Sequence, residues 1–260
     1  MIPTYIKNRI KFHTRKNRGI QEPNYDCKLQ MDSLGRFYLH IPCHVEACEN
    51  QASSNRHEWC SLDPGVRTLF TLYCPTKGVS YKLADGDISR VFRLCVYLDK
   101  LISKTTKING NYNQKRKRRK KHYRSIIKLR NRIKNLVTEV HCKVVLLLVK
   151  HFKNIVLPTF DVSQMVLKNG KMRKIGSKTA RQMMSWRFYD LKMRLLNKAK
   201  LYGCNVILET EEWTSKTCTH CQFVKHNLGG SKIYNCDDCK LKADRDVCGA
   251  RNIFMKSIKV

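Results

Sequence analysis

Apolar and polar positions recur in short runs through the first third of the chain, and the spacing then becomes helical. Cys27 to Met31 and Arg36 to Ile41 are strand-like runs around a Ser33-Leu34-Gly35 turn, which predicts a small hairpin. Residues 47 to 57, with Glu49, Asn50, Ser53, Ser54 and Asn55, are polar and aperiodic, the pattern of a linker or loop. From Glu58 the pattern predicts a meander of three strands, 58–63, 67–74 and 79–83, with a turn at Pro75 to Gly78. A basic interval follows. From Arg124 the apolar residues Ile126, Ile133, Leu136, Val137, Val140, Val144, Leu147 and Leu148 lie on one helical stripe, predicting a long amphipathic helix that ends near Phe152. A buried-type strand, Asn154 to Phe160, comes next. Ala180, Met184, Leu191, Leu195, Ala199 and Tyr202 then share the stripe of a second helix, stopped by Gly203. A strand at Asn205 to Thr210, an intervening segment and a final helix from about Asp244 complete the chain.

The order β-β-β-α-β-α-β, an insertion and a last helix is that of the ribonuclease-H fold. It predicts an α/β architecture: a mixed sheet with flanking helices, preceded by a small N-terminal β unit. The longest apolar run, Val144 to Val149, is far shorter than a membrane helix requires, so no membrane partner is expected. The N-terminus alternates basic and apolar residues and does not read as a secretory signal, so an intracellular, reducing compartment is expected.

Charge changes the picture most. Among 260 residues, 52 Lys and Arg face 20 Asp and Glu, a formal net charge of +32. Hydrophobic content of 42% is that of a folding chain, so the charge sits on a globular body and points to an anionic polymer. There is no acid between Asp99 and Glu139, and Lys115, Arg116, Lys117, Arg118, Arg119, Lys120 and Lys121 run without interruption. Arg124, Lys128, Arg130, Arg132 and Lys134 continue the charge into the long helix, a phosphate-binding face. Lys168 to Lys178 is a second basic cluster. Of the aromatics, Trp186 is expected to pack in the second helix's apolar face and Trp213 on the cysteine-rich insertion.

That insertion carries Cys218, Cys221, Cys236 and Cys239, two CxxC pairs separated by fourteen residues, among 13 cysteines in all. Each CxxC turn sets two sulfurs on one side of a tetrahedron, so the four predict a closed, structural Zn²⁺ site. His220 and His226 read as surface residues. Two acids sit where metal chemistry would want them: Asp63 at the end of the first core strand and Asp246 at the start of the last helix. Carboxylates converging from separate elements hold Mg²⁺ ions that activate water against a phosphodiester. The plainer alternatives are a turn for Asp-Pro-Gly and a helix cap for Asp244 or Asp246.

DPGVRTLF, SKTCTHC, CDDC and DRDVCGARNI, in that order, resemble the RuvC-like core and zinc ribbon of the TnpB family of insertion-sequence proteins. NIVLPTFDVSQMV, SKTARQMMSW and EEWTSKTC are similar to its eukaryotic and viral relatives, the Fanzor proteins. The resemblance implies a transposon-associated, RNA-guided DNA endonuclease with DNA and a guide RNA as partners, nuclear in a eukaryotic or viral host and otherwise cytoplasmic. It implies a metal-binding triad of two aspartates and a glutamate, with Asp63 and Asp246 in the aspartate positions. TnpB proteins carry the glutamate at the end of the fourth strand, but here that strand ends Leu157-Pro158-Thr159-Phe160. A relocated glutamate just before TSKTC leaves Glu209, Glu211 and Glu212. On strand geometry Glu209 and Glu211 share a face, which favours Glu211 with Glu209 second.

Gln222 and Lys240 stand where the family has Gly after each CxxC pair. Cys248 stands where it has Asn beside Asp246, which removes an amide donor from the surroundings of that acid. The expected domains are a partial N-terminal β region at 1–57, a core at 58–212 and 243–260 with a basic helical insertion at 100–152, and the ribbon at 213–242. Relatives have a longer N-terminal region for gripping RNA and DNA, so the chain is expected to be N-terminally short. That leaves a second reading: a truncated, inactive zinc-ribbon protein that binds nucleic acid as a regulator or accessory factor.

Overall fold

The structure, a computed structural model, describes residues 25–42, 55–108, 111–166 (without the Gln164 side chain), 175–210, 212–227, 229 and 231–258. The chain divides into two units, residues 1–45 and 46–260. In the first, β1 (Lys28–Met31) and β2 (Phe37–His40) pair antiparallel as the predicted hairpin. Asp32 Oδ1 accepts from the amides of Leu34 and Arg36 at 2.8 and 2.9 Å, and Gly35 supplies the positive φ of 77°.

The second unit is built on a five-stranded sheet in the order β5-β4-β3-β6-β7. β3 (His57–Pro64), β4 (Phe70–Cys74) and β5 (Val79–Leu83) form the antiparallel meander. β6 (Phe152–Pro158) and β7 (Asn205–Glu209) join β3 in parallel. Side chains alternate across the sheet. Cys60, Leu62, Leu72, Cys74, Ile155 and Leu157 are buried on one face in the main core. Helices α1 (Asp87–Thr106), α2 (Tyr112–His151), α4 (Ser177–Trp186) and α5 (Phe188–Tyr202) contribute to that core, and α3 (Val162–Val166) is a short turn after β6. The opposite face receives α6 (Arg245–Ser257): Ser61 Oγ donates to the Ala250 carbonyl at 2.6 Å, and Trp59 and Tyr73 both meet Phe254 at 6.2 Å. β8 (Ile233–Asn235) and β9 (Lys242–Asp244) form the antiparallel hairpin of the cysteine-rich insertion.

Three expectations change. The interval after β5 contains α1, whose Ile88, Val91, Cys95 and Leu98 are buried at helical spacing, and α2 begins at Tyr112, upstream of Arg124. Cations on every side hid this start, because a helix without an apolar stripe has no periodic signal. The second long helix is two. Arg187, at φ 53°, breaks it into α4 and α5, so the stripe changes phase: Met183 and Trp186 are buried and Met184 is 55% exposed. Leu147, also assigned to a buried stripe, lies exposed on α2.

Candidate functional site

Register sets out a single row across the sheet. Lys82 of β5 pairs with Thr71 of β4, and Thr71 with Asp63 of β3. Ser61 pairs with Val156, which aligns Asp63 with Pro158 two residues on, and Pro158 pairs with Glu209 of β7. Lys82, Thr71, Asp63, Pro158 and Glu209 therefore share one row and one face, the face that α6 covers. Strand spacing puts the backbones of Asp63 and Glu209 about 10 Å apart, with Pro158 between them. Pro158 belongs to the strand end, Leu157 to Phe160, where the resemblance to TnpB proteins expects an acid. Glu209 Oε1 accepts from the Thr210 amide at 2.8 Å and lies 3.9 Å from Lys256 Nζ on α6.

Asp244 caps α6, accepting from the Asp246 amide at 2.9 Å. One turn later the helix passes so close to β3 that a Cβ on Gly249 would stand 3.0 Å from Asp63 Oδ2. Asp246 lies three residues before Gly249, on the same side of the helix. Asp246 is therefore about one helical turn along α6 from the point of contact with Asp63. Lys82 clamps this start of α6, its ammonium 3.1 Å from Asp244 Oδ2. That hydrogen bond to Asp244, with the charge of Asp246 also contributing, raises the Lys82 pKa. Burial works to raise the Asp244 pKa, but Lys82 and the helix amides prevail and hold it below the usual carboxylate value. Lys82 and Gly249 were both missed from sequence. The available signal was the Gly three residues after Asp246, the spacing of two neighbours on one helix side.

Glu211 lies outside the described residues. β7 ends at Glu209, and Glu212 is exposed. Among the described residues only the four ribbon cysteines bring three or more ligand-type side chains within 4.8 Å of one another. The carboxylates are more widely spread, as a site for two ions about 4 Å apart permits.

The cysteines gather as their spacing predicts. Cys218 Sγ lies 3.6 Å from Cys239 Sγ, and Cys221 Sγ 3.5 Å from Cys236 Sγ. Bonds of about 2.3 Å to a tetrahedral metal separate sulfurs by about 3.8 Å, so the set fits a structural metal such as zinc. Gln222 at φ 64° and Lys240 at φ 61° hold the left-handed turns where the family has Gly. Burial acts to raise the Cys236 thiol, but the amides of Cys239 and Asp238 outweigh it and bring the pKa down to about 7, while its neighbour Cys221 is pushed up to about 12, against the amide of Phe223, by burial and by the thiols beside it, so one thiol of the pair ionises well before the other. The expected exposure of His220 and His226 holds. Trp213 is 54% exposed, touching the ribbon edge-on through His226 at 5.7 Å, so it is not packed down as expected.

The ribbon and α6 are one mechanical piece. β9 runs directly into the helix, and Asn252 Nδ2 donates to the carbonyls of Thr214 and Thr217 at 2.8 and 2.7 Å. Cys248 is buried against Cys218, Tyr234 and Cys236. It points to the ribbon and not into the surroundings of Asp246, because two helical steps of about 100° turn it away.

Arg116 to Lys121 and Arg124, Lys128, Arg130, Arg132 and Lys134 are exposed on α2, with Lys115 partly covered. Ile126, Ile127, Leu129 and Val137 form the buried side of the same helix. The cluster at Lys168 lies outside the described residues, apart from its last members; Lys178 stands 5.5 Å over the Phe92 ring. No helix among the described residues is long and apolar enough to cross a membrane.

A mixed sheet with flanking helices and a cysteine ribbon leading into the last helix is a RuvC-like, ribonuclease-H-type fold. Among solved structures, a Cas12f1–sgRNA–target DNA complex matches at TM-score 0.51 and 18% identity over 77% of this chain and 50% of that one. A CRISPR-Cas12f ternary complex matches at 0.55 and 16%, over 87% and 44%. These likenesses concern the fold. The family model of the Cas12f1-like TNB domain matches residues 188–253. TnpB-like proteins of Acanthamoeba polyphaga mimivirus are 32% identical over 232 residues, 89% of this chain and 43% of theirs. A TnpB-like protein of Methanocaldococcus jannaschii is 26% identical over 198 residues, 73% of this chain and 69% of that one. The chain belongs to the TnpB family. It spans less than half the length of the mimivirus relatives.

Proposed function

We propose that this chain is the nuclease part of an RNA-guided, Mg²⁺-dependent DNA endonuclease of TnpB type, with Fanzor-like placement of its glutamate. The observation that supports the reading is the passage of α6 over Asp63 at Gly249, three residues from Asp246, at the C-terminal end of the central strand β3. Asp63 and Asp246 would hold Mg²⁺ together with Glu209, which the register puts on the Asp63 row; Glu211 is the other glutamate to test. Hard oxygen donors of this kind suit Mg²⁺, which when bound activates water and stabilises the leaving oxygen of a phosphodiester. The chain's own part is to fix these acids: Lys82 and Asp244 hold the start of α6, and Cys218, Cys221, Cys236 and Cys239, as ligands of a structural Zn²⁺, hold the ribbon that leads into it. Residues 58–212 and 243–260 form the nuclease core, and 213–242 the ribbon. The cationic face of α2 holds guide RNA and DNA by their phosphates.

One observation favours a second reading. Pro158 occupies the middle of the row, between Asp63 and Glu209, and a descendant that binds nucleic acid without cutting would tolerate it. The test is to incubate the purified chain and its co-purifying RNA with Mg²⁺ and single- or double-stranded DNA, beside Asp63→Ala, Glu209→Gln and Glu211→Gln. The endonuclease reading expects cutting by the unaltered chain, none by Asp63→Ala, and loss in one glutamate variant. Cutting that persists in Asp63→Ala overturns it. Binding without cutting by any of the four selects the second reading.

A further inference from the structure

A pocket of about 340 Å³ opens between α2, α4 and the junction of α4 with α5. Its walls carry four cations from three places in the sequence: Arg130 and Lys134 of α2, Arg181 of α4, and Arg187 at the helix break. Cys95 and Leu98 of α1 line it as well. Two acids meet these cations. Arg181 Nη2 donates to Asp99 Oδ1 at 2.9 Å, and Arg187 pairs with Asp190. Among the described residues Arg130 and Lys134 have no ion pair, so the pocket keeps an excess of two positive charges. Arg181 Nε is buried with no acceptor among the described residues, a donor that a small rotation of the guanidinium towards an anion would satisfy.

The pocket is built and not a chance gathering of surface side chains. Arg187 holds a left-handed φ of 53°, a conformation that costs a residue with a Cβ about 1–2 kcal/mol. Its neighbours fix it there. Trp186 is fully buried, donates from Nε1 to the Val66 carbonyl at 2.9 Å, and accepts from His141 Nε2 at 2.8 Å on its own carbonyl. Phe188 is buried against Phe160 at 4.8 Å and Phe70 at 6.4 Å. Backbone strain held by surrounding packing marks positions where a side chain has to be aimed. Arg187 and Met184 also line a second, largely apolar cleft of about 770 Å³ that reaches Pro64, the residue after Asp63. The cationic pocket therefore joins the basic face of α2 to a cleft at the C-terminal end of β3, on the face of the sheet opposite the Asp63 side chain.

We propose that Arg130, Lys134, Arg181 and Arg187 form a phosphate subsite, which holds one backbone phosphate of a nucleic-acid strand passing from α2 towards the C-terminal end of β3. A guanidinium fork suits two oxygens of one phosphate, and Lys134 adds a point charge. The proposal rests on the nucleic-acid part of the proposed function but not on cleavage. It is tested with the full chain, a labelled twelve-nucleotide oligothymidylate and fluorescence anisotropy over a salt series. The Arg130→Gln/Lys134→Gln variant, altered only at exposed helical positions, is compared with Lys200→Gln/Lys232→Gln, which removes the same charge elsewhere. The expected result is binding about fivefold or more weaker at low salt in the pocket variant, with a salt slope lower by about 0.7, the value for one single-strand phosphate left unneutralised. The control should keep the wild-type slope.

Acylation of lysines with and without the strand gives a second readout, in which Lys134 is expected to be protected and Lys200 not. Protection by inorganic phosphate alone as well as by the strand supports recognition of the phosphate group. Protection by the strand alone supports the same group held in a chain. Equal loss in both variants, or an unprotected Lys134, overturns the subsite while leaving nucleic-acid binding intact. Failure of the unaltered chain to bind the strand at all overturns both readings.

Discussion

Replacing Gly249 by alanine probes the contact on which the proposed acid site depends. The new Cβ would lie 3.0 Å from Asp63 Oδ2, 3.1 Å from Cγ and 3.3 Å from Oδ1, inside the 3.4 Å at which ordinary contact begins. Either α6 or the Asp63 carboxylate has to yield by a few tenths of an ångström. In an open helix interior the same change stabilises by about 1 kcal/mol, through the backbone entropy that glycine loses on folding. Overpacking costs about 1–3 kcal/mol, so the two effects offset and leave a destabilisation between about 0 and 2 kcal/mol. For a unit of this size that is a fall in Tm of at most about 8 °C. Cleavage should suffer more than folding, by about 10- to 100-fold, because a metal-holding carboxylate tolerates only about half an ångström of displacement. Thermal melts followed by circular dichroism and Mg²⁺-dependent cleavage measure the two quantities. In an Asp63→Ala background the obstacle is gone, and Gly249→Ala should there become stabilising by about 1 kcal/mol. A Tm that rises to the same extent with Asp63 present would show that the helix does not press on this carboxylate.

Zinc removal by chelation, or Cys218→Ser, should unfold the ribbon and loosen the start of α6, since β9 leads into that helix; amide exchange at 213–245 that is unchanged without metal would contradict the four-thiolate site. Lowering the pH should destabilise the fold through His141. Its pKa is depressed to about 4, chiefly by burial, with Arg194 and Arg187 adding to the effect against the Trp186 carbonyl and Asp190. The unfolded chain takes up this proton near pH 6.5 and the folded one only near 4, so stability is lost as pH falls between them, about 2 kcal/mol of it by pH 5. A His141→Gln variant with the same drop between pH 7 and 5 would refute this. Neutralising Lys117, Arg118 and Lys120 to Gln on α2 should lower the salt slope of duplex binding by about 0.9 for each phosphate no longer neutralised, and an unchanged slope would remove that run from the interface.

The strands of the meander were legible because their apolar positions alternate and their turns carry Pro and Gly. The cysteine set was legible because ligand spacing is a local property. What sequence hid was non-local or aperiodic. The first turns of α2 carry cations on all sides, and α1 was read as part of a basic interval although Ile88, Val91, Cys95 and Leu98 keep helical spacing. Nothing in the order Ser185-Trp186-Arg187-Phe188 announced a left-handed residue, because the strain there is held by Val66, His141 and Phe160, all distant in sequence. The same applies to the acids. Asp63 and Asp246 were singled out by their motifs, but the row that adds Lys82 and Glu209 exists only once the strands pair. The Cys248 expectation failed for a related reason: adjacency in sequence to Asp246 is not adjacency in space on a helix.

The start of α2 has one more consequence. Asn111 offers its helix no side-chain cap, the first turn contains no acid, and seven consecutive cations begin at Lys115. A helix start is the positive end of its dipole, so these charges repel both one another and the backbone field. Seven charges occupy about 10 Å of helix, close to the linear charge density of duplex DNA at one per about 1.7 Å. A polyanion laid along this stretch does for the helix what a capping carboxylate does elsewhere, on a larger scale. If the proposed function holds, nucleic acid is thereby a structural component of α2, and the order of its first turns becomes a gauge of whether a strand is in place.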